Sequence, residues 1–324
     1  MLQQRTHHPV VVITGASSGI GQAAAEEFAR RGARLVIAAR DASALHSVAS
    51  RCRKLGGEVL VVPTDVTKAD EVRQLAQKAL SFGEIDVWFS NAGVGAVGKF
   101  DETPQEAHEQ VIRTNLIGHL NDAYAVVPIF KRQKHGTFIN MISLGGFASA
   151  PYAAAYSASK FGLKGFTESL RAELAPYRDI HICDVYPTFL DTPGIAHSAN
   201  YTGHALTAPP PVYDPRKAAR SIVRLVDRPR ASLTLGSAAR LARLGHFLAP
   251  NSTARIMAGV LARYLKGAPR TEITHGNLFR SAANPGGVEG GLRVLRVSRP
   301  LPTSAILTIV VIGFAAIALA RTRR

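Results

Sequence analysis

The stretch "VVVITGASSGIG", residues 10–21, decides the fold of this protein. Its β-branched opening predicts a buried strand, and Thr14 and Gly15 predict a turn after it. The continuation "IGQAAAEEFARRG" has a helical period and ends at Gly32, a favourable C-cap. A glycine-rich turn between a strand and a helix lets the backbone approach a pyrophosphate, which the helix N-terminus attracts. A tight turn without a ligand is the alternative interpretation.

Strands and helices alternate along the first 236 residues. Further strands are predicted at 33–40, 58–67, 85–93, 136–143, 180–187 and 231–235, with helices between them, two of them near 104–133 and 153–175. Short connections between alternating strands and helices are typical of a parallel sheet with helices on both faces. The sequence therefore predicts one doubly wound α/β domain over residues 1–236.

The pattern changes after Pro187. Residues 188–213 lack periodicity and contain several prolines, which is typical of a functional loop. A helix over 214–227 follows, with Asp214 as N-cap and Pro215 in the first helical position. Residues 237–299 are predicted to form a basic extension, with helices near 237–248 and 252–266 and an irregular linker after them. Residues 300–324 form a hydrophobic C-terminal segment.

The positive charge is concentrated in the second part of the chain. The formal net charge is +16, and residues 1–190 hold 20 Lys or Arg against 18 Asp or Glu, so that +14 belongs to residues 191–324. A basic tail favours an anionic partner, either nucleic acid or lipid headgroups. Cys52 and Cys183 are the only cysteines; they form no disulfide framework, match no metal site and indicate a reducing compartment.

A second short stretch, "YSASK" at residues 156–160, places a phenol and an ammonium on one helix face. A phenol has a pKa of about 10 and is a poor proton donor or base at neutral pH. A neighbouring ammonium stabilises the phenolate and lowers that pKa towards the working range. Tyr156 and Lys160 therefore form a candidate acid–base pair, although the same spacing also occurs by chance in exposed helices.

These stretches together resemble the short-chain dehydrogenase/reductase family. "TGASSGIG" (14–21), "NAG" (91–93), Asn115, Ser143 and "YSASK" occur in the order and at the spacings of that family, over roughly residues 9–235. The resemblance implies a Rossmann-type domain with about seven parallel strands. It also implies a nicotinamide cofactor and the reversible interconversion of a carbonyl and an alcohol.

The resemblance implies roles for four catalytic residues. Tyr156 is the acid or base, and Lys160 tunes it and holds the nicotinamide ribose. Ser143 hydrogen-bonds the substrate oxygen, where charge develops. Asn115 supports a water that relays protons to Lys160.

The resemblance also implies a set of cofactor-binding residues: Gly15, Ser17, Ser18, Gly19, Ile20, Gly21, Arg40, Asp65, Val66, Asn91, Ala92, Gly93, Pro187, Thr188 and Thr192, together with Tyr156 and Lys160. "YPT" (186–188) departs from the Pro-Gly that the family often has, and Thr188 is expected to donate its backbone N–H to the carboxamide. Arg40 ends the second strand, where an acid would bind the ribose 2′-hydroxyl of NAD. Its guanidinium suits a 2′-phosphate, so NADP(H) is favoured over NAD(H).

The substrate is expected to be a lipophilic carbonyl or alcohol. The 188–213 loop contains aromatic and aliphatic residues but no Lys or Arg, and an apolar wall suits such a molecule. The same residues would also simply pack the loop onto the domain. A homodimer through the helices near 104–133 and 153–175 is implied by the resemblance. A catalytically silent, cofactor-binding regulatory or scaffold protein at a membrane is the alternative function. Nucleic-acid binding is disfavoured because the arginines of the tail are interleaved with leucines and alanines rather than with stacking aromatics.

The C-terminal segment is a candidate membrane anchor. Residues 300–320 carry no charge and are bracketed by Arg299 and Arg321. As a helix they would span roughly 30 Å, close to a hydrocarbon core. A helix buried in the protein or in a dimer groove is the alternative. We expect the catalytic domain in the cytoplasm, associated with a membrane through this segment.

Overall fold

The computed structural model describes residues 8–284 and 286–293. The strands are β1 Val10–Thr14, β2 Arg34–Ala39, β3 Glu58–Pro63, β4 Ile85–Ser90, β5 Ala96–Val97, β6 Gly136–Met141, β7 Ile180–Pro187, β8 Ala199–Asn200 and β9 Ser232–Leu235. The helices are α1 Gly19–Ala29, α2 Ala42–Lys54, α3 Ala69–Phe82, α4 Gln105–Ile112, α5 Gly118–Gln133, α6 Ala154–Glu173, α7 Pro215–Asp227, α8 Ser237–Leu248 and α9 Pro250–Gly267. The predicted alternation is confirmed.

Seven parallel strands form the main sheet in the order β3-β2-β1-β4-β6-β7-β9. The strand order reverses between β1 and β4, and in such sheets the ligand crevice lies at the carboxyl ends of the strands where the order reverses. β5 and β8 form a separate two-stranded parallel ladder. The topology therefore places the glycine turn after β1 and the "NAG" segment after β4 at the same crevice.

The sheet is covered on both faces, as the sequence predicts. Alternate residues of β2 enter two different apolar clusters: Leu35 and Ile37 pack with α1 and α2, whereas Val36 and Ala38 pack with α3. Residues of a strand point to alternate faces, so both faces of β2 are buried. This explains the continuous apolar runs that distinguish these strands in the sequence.

The predicted helix near 104–133 is interrupted. A π-helical turn, Arg113–Ile117, separates α4 from α5, and it places Asn115 in a fully buried position. Single π-helical turns within helices are frequent at functional sites. The sequence pattern does not reveal the interruption, because one extra residue per turn barely alters the apolar period.

The C-terminal extension contains the two expected helices. They are loosely packed, since Ala239 is the buried residue of α8 and α9 has none. Residues 268–284 and 286–293, which we call the strap, have no helix or strand of their own, yet they pack back onto the main domain. No helix in the described ranges is long and apolar enough to cross a membrane. The candidate anchor at 300–320 lies outside the described residues.

Candidate active site

In the glycine turn after β1, other parts of the backbone approach the glycines closely. Gly15 has φ +67°, and a Cβ on Gly21 would lie 2.2 Å from the Gly15 carbonyl oxygen. The Asn91 side chain donates from Nδ2 to the carbonyls of Thr14 and Gly15, at 3.1 Å each. The first residue of "NAG" therefore fixes the shape of the turn.

Most predicted cofactor-binding residues gather around one pocket beside this turn. Its lining includes Gly15, Ser17, Ser18, Arg40, Asp65, Val66, Ala92 and Gly93. Gly19, Ile20 and Gly21 begin α1 next to it. Asn277, Ser281 and Ala282 of the strap also line the pocket, and the sequence analysis did not predict them.

Arg40 reaches this pocket but also contacts the strap. Its Nη2 donates to the carbonyls of Asn277 at 2.6 Å and Arg280 at 3.3 Å, and its Nη1 donates to that of Leu278 at 3.3 Å. The neighbouring Asp41 carboxylate caps α2 by accepting from the Ala44 N–H. The residue that follows β2 is therefore the cation Arg40, and the adjacent acid, Asp41, is already committed to capping α2.

Ser143 lies just beyond β6 in an unusual backbone conformation. Its φ of 155° and ψ of 165° belong to a region that is largely restricted to glycine. Its hydroxyl accepts from the Gly145 N–H at 3.1 Å. Tyr156 stands in the first turn of α6, and burial raises its pKa while a hydrogen bond with the Ser143 hydroxyl acts in the opposite direction. The structure therefore brings the predicted serine and tyrosine together.

Lys160 lies one turn after Tyr156 and is almost fully buried. Its Nζ donates to the Met141 carbonyl at 2.9 Å and lies 5.8 Å from the centre of the Tyr156 ring. Burial lowers the pKa of Lys160 to about 7. Burial of the phenol raises the pKa of Tyr156, so it opposes the lowering that the sequence predicts from this ammonium, and that tuning stays a prediction.

Asn115 is placed near the site by the π-helical turn. Its side chain accepts from the Val94 N–H at 2.8 Å and donates to the Val94 carbonyl at 2.9 Å. It also donates to the Ser159 hydroxyl at 3.3 Å. Asn115 thus fastens the segment after "NAG" to α6, and its part in a proton relay to Lys160 stays a prediction.

The segment after β7 differs from the expectation. The Thr188 N–H donates to the Leu235 carbonyl at 3.0 Å, because β9 extends the sheet beside it, so this N–H does not point to a cofactor. Its hydroxyl is buried and has no hydrogen-bond partner among the described residues. Pro187 ends β7. Thr192 packs against the glycine turn, with its Cβ 3.2 Å from where a Cβ on Gly19 would lie.

A buried polar network beneath the site was missed. The Asp122 carboxylate accepts from Thr14 Oγ1 at 2.9 Å and Ser90 Oγ at 2.6 Å, and Thr14 Oγ1 accepts from the Asn91 N–H. Burial raises the pKa of Asp122 to about 7. The network ties α5 to the ends of β1 and β4. The available signal was an aspartate on the inner face of a helix, among mostly apolar residues.

These residues fit a dinucleotide. The glycines leave room for a backbone–ligand contact, α1 begins beside the pocket, and the buried Thr188 hydroxyl and Asn277 Oδ1 have no hydrogen-bond partner among the described residues. A dinucleotide could also place its reactive end beside Ser143 and Tyr156. Fold and site together define a Rossmann-type oxidoreductase that uses a nicotinamide cofactor.

Comparison with known proteins identifies the family. The short chain dehydrogenase family model matches residues 9–201, and this chain belongs to that family. It is an enzyme acting on CH–OH groups and small-molecule substrates. The chain is 32% identical over 259 residues to the uncharacterized oxidoreductase YxnA of Bacillus subtilis, covering 78% of this chain and 72% of that one.

Two further relatives have more informative names. The 11-beta-hydroxysteroid dehydrogenase-like protein 4A of Arabidopsis thaliana is 37% identical, over 58% of this chain and 63% of its own. A solved alcohol dehydrogenase from the archaeon Thermococcus sibiricus, complexed with 5-hydroxy-NADP, superimposes with a TM-score of 0.63 at 28% identity. That match covers 71% of this chain and 97% of the archaeal one.

Proposed function

We propose that this protein is an NADP(H)-dependent enzyme that interconverts the carbonyl and alcohol forms of a lipophilic small molecule. One observation carries the proposal: Ser143 and Tyr156 meet at the carboxyl end of the sheet, next to the glycine turn. When bound, the nicotinamide supplies or accepts the hydride. The assay is a panel of carbonyls and alcohols with both cofactors, and absence of turnover throughout would favour the silent scaffold.

The protein's own residues handle the proton. Tyr156 donates its phenolic proton to the carbonyl oxygen during reduction and takes it back during oxidation. Ser143 hydrogen-bonds the same oxygen and stabilises the charge that develops on it. Lys160, with a pKa near neutrality, holds an exchangeable proton one helical turn from the tyrosine.

The preference for NADP(H) rests on the end of β2. Arg40 lines the pocket, and the adjacent Asp41 carboxylate is committed to capping α2. We expect Arg40→Gln to lower the ratio of kcat/KM for NADPH to that for NADH by about 10-fold, because a charge-assisted phosphate contact is lost. Arg53→Gln is the control, since Arg53 also donates to a backbone carbonyl but does not line the pocket. An unchanged ratio in Arg40→Gln would contradict the proposal.

The lipophilic substrate is supported by the surroundings of Tyr156. Tyr201 of the 188–213 loop and Ala155 belong to the same apolar cluster as Tyr156. Leu190 instead packs on the main core, so part of the loop serves packing. We expect kcat/KM to rise up to about 4-fold per added methylene in a series of straight-chain carbonyls, the equivalent of ~0.8 kcal/mol. A flat series, or a preference for carboxylated analogues, would contradict the proposal.

Membrane association is proposed from the charge-free run at 300–320. The preceding helices support it. Residues 228–271 contain no Asp or Glu, and α8 exposes 83% of Phe247. Basic helices with exposed apolar residues suit an anionic lipid surface. The test is cell fractionation of the full chain and of a chain truncated at Arg299. Recovery of the full chain in the soluble fraction, without detergent, would contradict the proposal.

A homodimer through α5 and α6 is also proposed. The exposed faces of this region carry large apolar side chains, with Ile117 41% and Tyr124 77% exposed. Exposed apolar residues of this size, two helical turns apart, favour a protein partner. Light scattering of the truncated chain should give a dimer mass, and Tyr124→Ser should shift it towards the monomer. A monomer at all concentrations would contradict the proposal.

A further inference from the structure

The strap crosses the cofactor crevice. After α9 it pairs with the 188–213 loop through antiparallel bridges between His204 and Arg270 and between Asn200 and Thr274. It then passes Arg40 and reaches the glycine turn, where the Gly19 N–H donates to the Gly287 carbonyl at 2.9 Å. The last strap residue, Arg293, pairs with the buried Asp191 at 2.8 Å. The described parts of the strap therefore contact, in turn, the loop, Arg40 and the start of α1.

The strap is seated by apolar contacts as well as by hydrogen bonds. Leu278 is fully buried in the cluster that contains Tyr201 and Val111. Val288 is 4% exposed and joins the main core. Leu278 and Val288 therefore anchor the strap to the domain at two points. A flexible linker would leave such apolar residues exposed to solvent.

The strap holds Arg40. The backbone carbonyls of Asn277, Leu278 and Arg280 accept hydrogen bonds from the guanidinium. They use three of the five N–H donors that an arginine side chain carries. Two donors remain for a ligand. A side chain held in this way has lost its rotamer freedom before the ligand arrives, which lowers the entropic cost of binding.

The strap also contributes an unsatisfied acceptor to the pocket. Asn277 lines it, and its Oδ1 is buried with no hydrogen-bond partner in the described part of the chain. Leaving a buried acceptor unsatisfied destabilises the protein, and a donor on a ligand would remove that cost. The adenosine portion of a dinucleotide carries both hydroxyl and amino donors.

We propose that strap residues 277–282 complete the cofactor site: their carbonyls orient Arg40, and Asn277 accepts a hydrogen bond from the adenosine portion of the cofactor. The C-terminal extension thereby becomes part of the binding site of a domain whose family match ends at residue 201. The inference rests on the proposed cofactor site beside the glycine turn. It predicts that cofactor and strap stabilise each other.

Hydrogen exchange on the full-length protein, with and without NADP⁺, tests this mutual stabilisation. We expect slower exchange in two peptides, one covering the glycine turn at 14–21 and one covering the strap at 274–293. Protection of the turn with an unchanged strap would overturn the inference and leave the cofactor site intact. Faster exchange in the strap would also overturn it, because the strap would then compete with the cofactor. Protection of neither peptide would overturn both the strap inference and the site.

Substitutions separate the pocket side of the strap from its outer side. Asn277→Ala should raise the Kd for NADP⁺ about 10-fold, as measured by calorimetry. Ile273→Ala is the matched control, because Ile273 lies on the same segment with 66% of its surface exposed and does not line the pocket. Equal Kd values for Asn277→Ala and the wild type would overturn the role of Asn277.

A second pair of variants tests the seating of the strap. Leu278→Ala removes the apolar anchor next to Asn277 and should raise the Kd for NADP⁺ and speed exchange in the strap. Val111→Ala removes buried methyl groups from the same cluster but on α4, and should lower Tm without changing the Kd. If both variants changed the Kd equally, the effect would be general loosening and the inference would fail.

Discussion

The two ends of the cofactor crevice are built in different ways. The catalytic end is local: Tyr156 and Lys160 share one helix, and Ser143 lies in the loop leading to it. The other end joins residues from opposite parts of the chain, since Arg40 contacts carbonyls 237 to 240 positions away. The chemistry is thus carried by neighbours in the sequence, whereas the pocket beside Arg40 needs the extension to be folded in place.

Because the two ends of the crevice are built from different parts of the chain, we expect substitutions to affect turnover separately from cofactor binding and stability. A change at the catalytic end should affect the reaction while leaving the crevice assembled. A change at Arg293, at the far end of the strap, should affect the seating of the extension while leaving Ser143 and Tyr156 in place. The variants below test whether turnover and the stability of the folded extension change independently of each other.

The largest effect is expected for Tyr156→Phe. The ring still packs against Tyr201 and its neighbours, but the transferable proton is gone. We expect kcat to fall about 10²–10⁴-fold, the usual contribution of a general acid or base. The Kd for NADP⁺ should stay within about 2-fold of the wild type, a difference of ~0.4 kcal/mol. Wild-type turnover in the purified variant would show that the assignment of the acid is wrong.

Arg293→Gln should have the next largest effect, on stability. Its guanidinium donates to the Asp191 carboxylate, which is only 1% exposed, and loss of a partner leaves a buried charge. Because Arg293 is itself partly exposed, we expect a loss of about 2 kcal/mol in the free energy of unfolding. Arg216→Gln is the control, since its pair with Glu289 is exposed on both sides and should contribute little.

The same ion pair has a pH dependence. Burial alone would raise the pKa of Asp191, but hydrogen bonds from Arg293 and the Leu292 N–H hold it below its usual range. A carboxyl with a depressed folded pKa stabilises the protein above about pH 4, and this contribution is lost as the pH falls further. The acid unfolding midpoint should therefore move to higher pH in Arg293→Gln, and an unmoved midpoint would contradict the assignment.

Lys160→Met should change the slope of stability with pH. Burial lowers the folded pKa of Lys160 to about 7, so between pH 7 and about 10 the unfolded chain binds more protons than the folded protein. Stability therefore rises with pH across this window, by up to about 1.4 kcal/mol per pH unit. Lys160→Met should remove that rise.

Lys164→Met is the control for this slope. Lys164 lies one turn further along α6, in an exposed pair with Glu168 at 3.1 Å. Thermal melting between pH 7 and 9.5 without cofactor separates the two variants. Equal slopes in the wild type and Lys160→Met would show that the ammonium remains charged in the folded protein.

The catalytic end could be predicted closely from the sequence. Tyr156 and Lys160 keep a fixed relation because α6 is regular, and a helix places residues four apart on one face. Ser143 and the glycine turn follow strands, whose carboxyl ends meet at one edge of a parallel sheet. Periodicity and order along the chain are sufficient for such predictions.

Other parts of the site depend on the finished packing. The Thr188 N–H is used by the Leu235 carbonyl because β9 adds to the sheet edge, and Asp122 becomes a partner of Thr14 only when α5 covers β1 and β4. The direction of the Tyr156 pKa follows from burial, which a motif does not reveal.

The sequence by itself determined the alternation of strands and helices, the position of the glycine turn and the positions of the proposed catalytic residues. These features can be predicted because each depends on residues that are close together in the chain or that lie at the ends of successive strands. Only the tertiary structure decided that residues 268–293 form a strap over the crevice and hold Arg40. The sequence of the strap has no helical or strand periodicity. The strap contacts Arg40 through backbone carbonyls, which every residue carries, so its residue types do not reveal the contact. Its place is set by where Leu278 and Val288 find a core to enter.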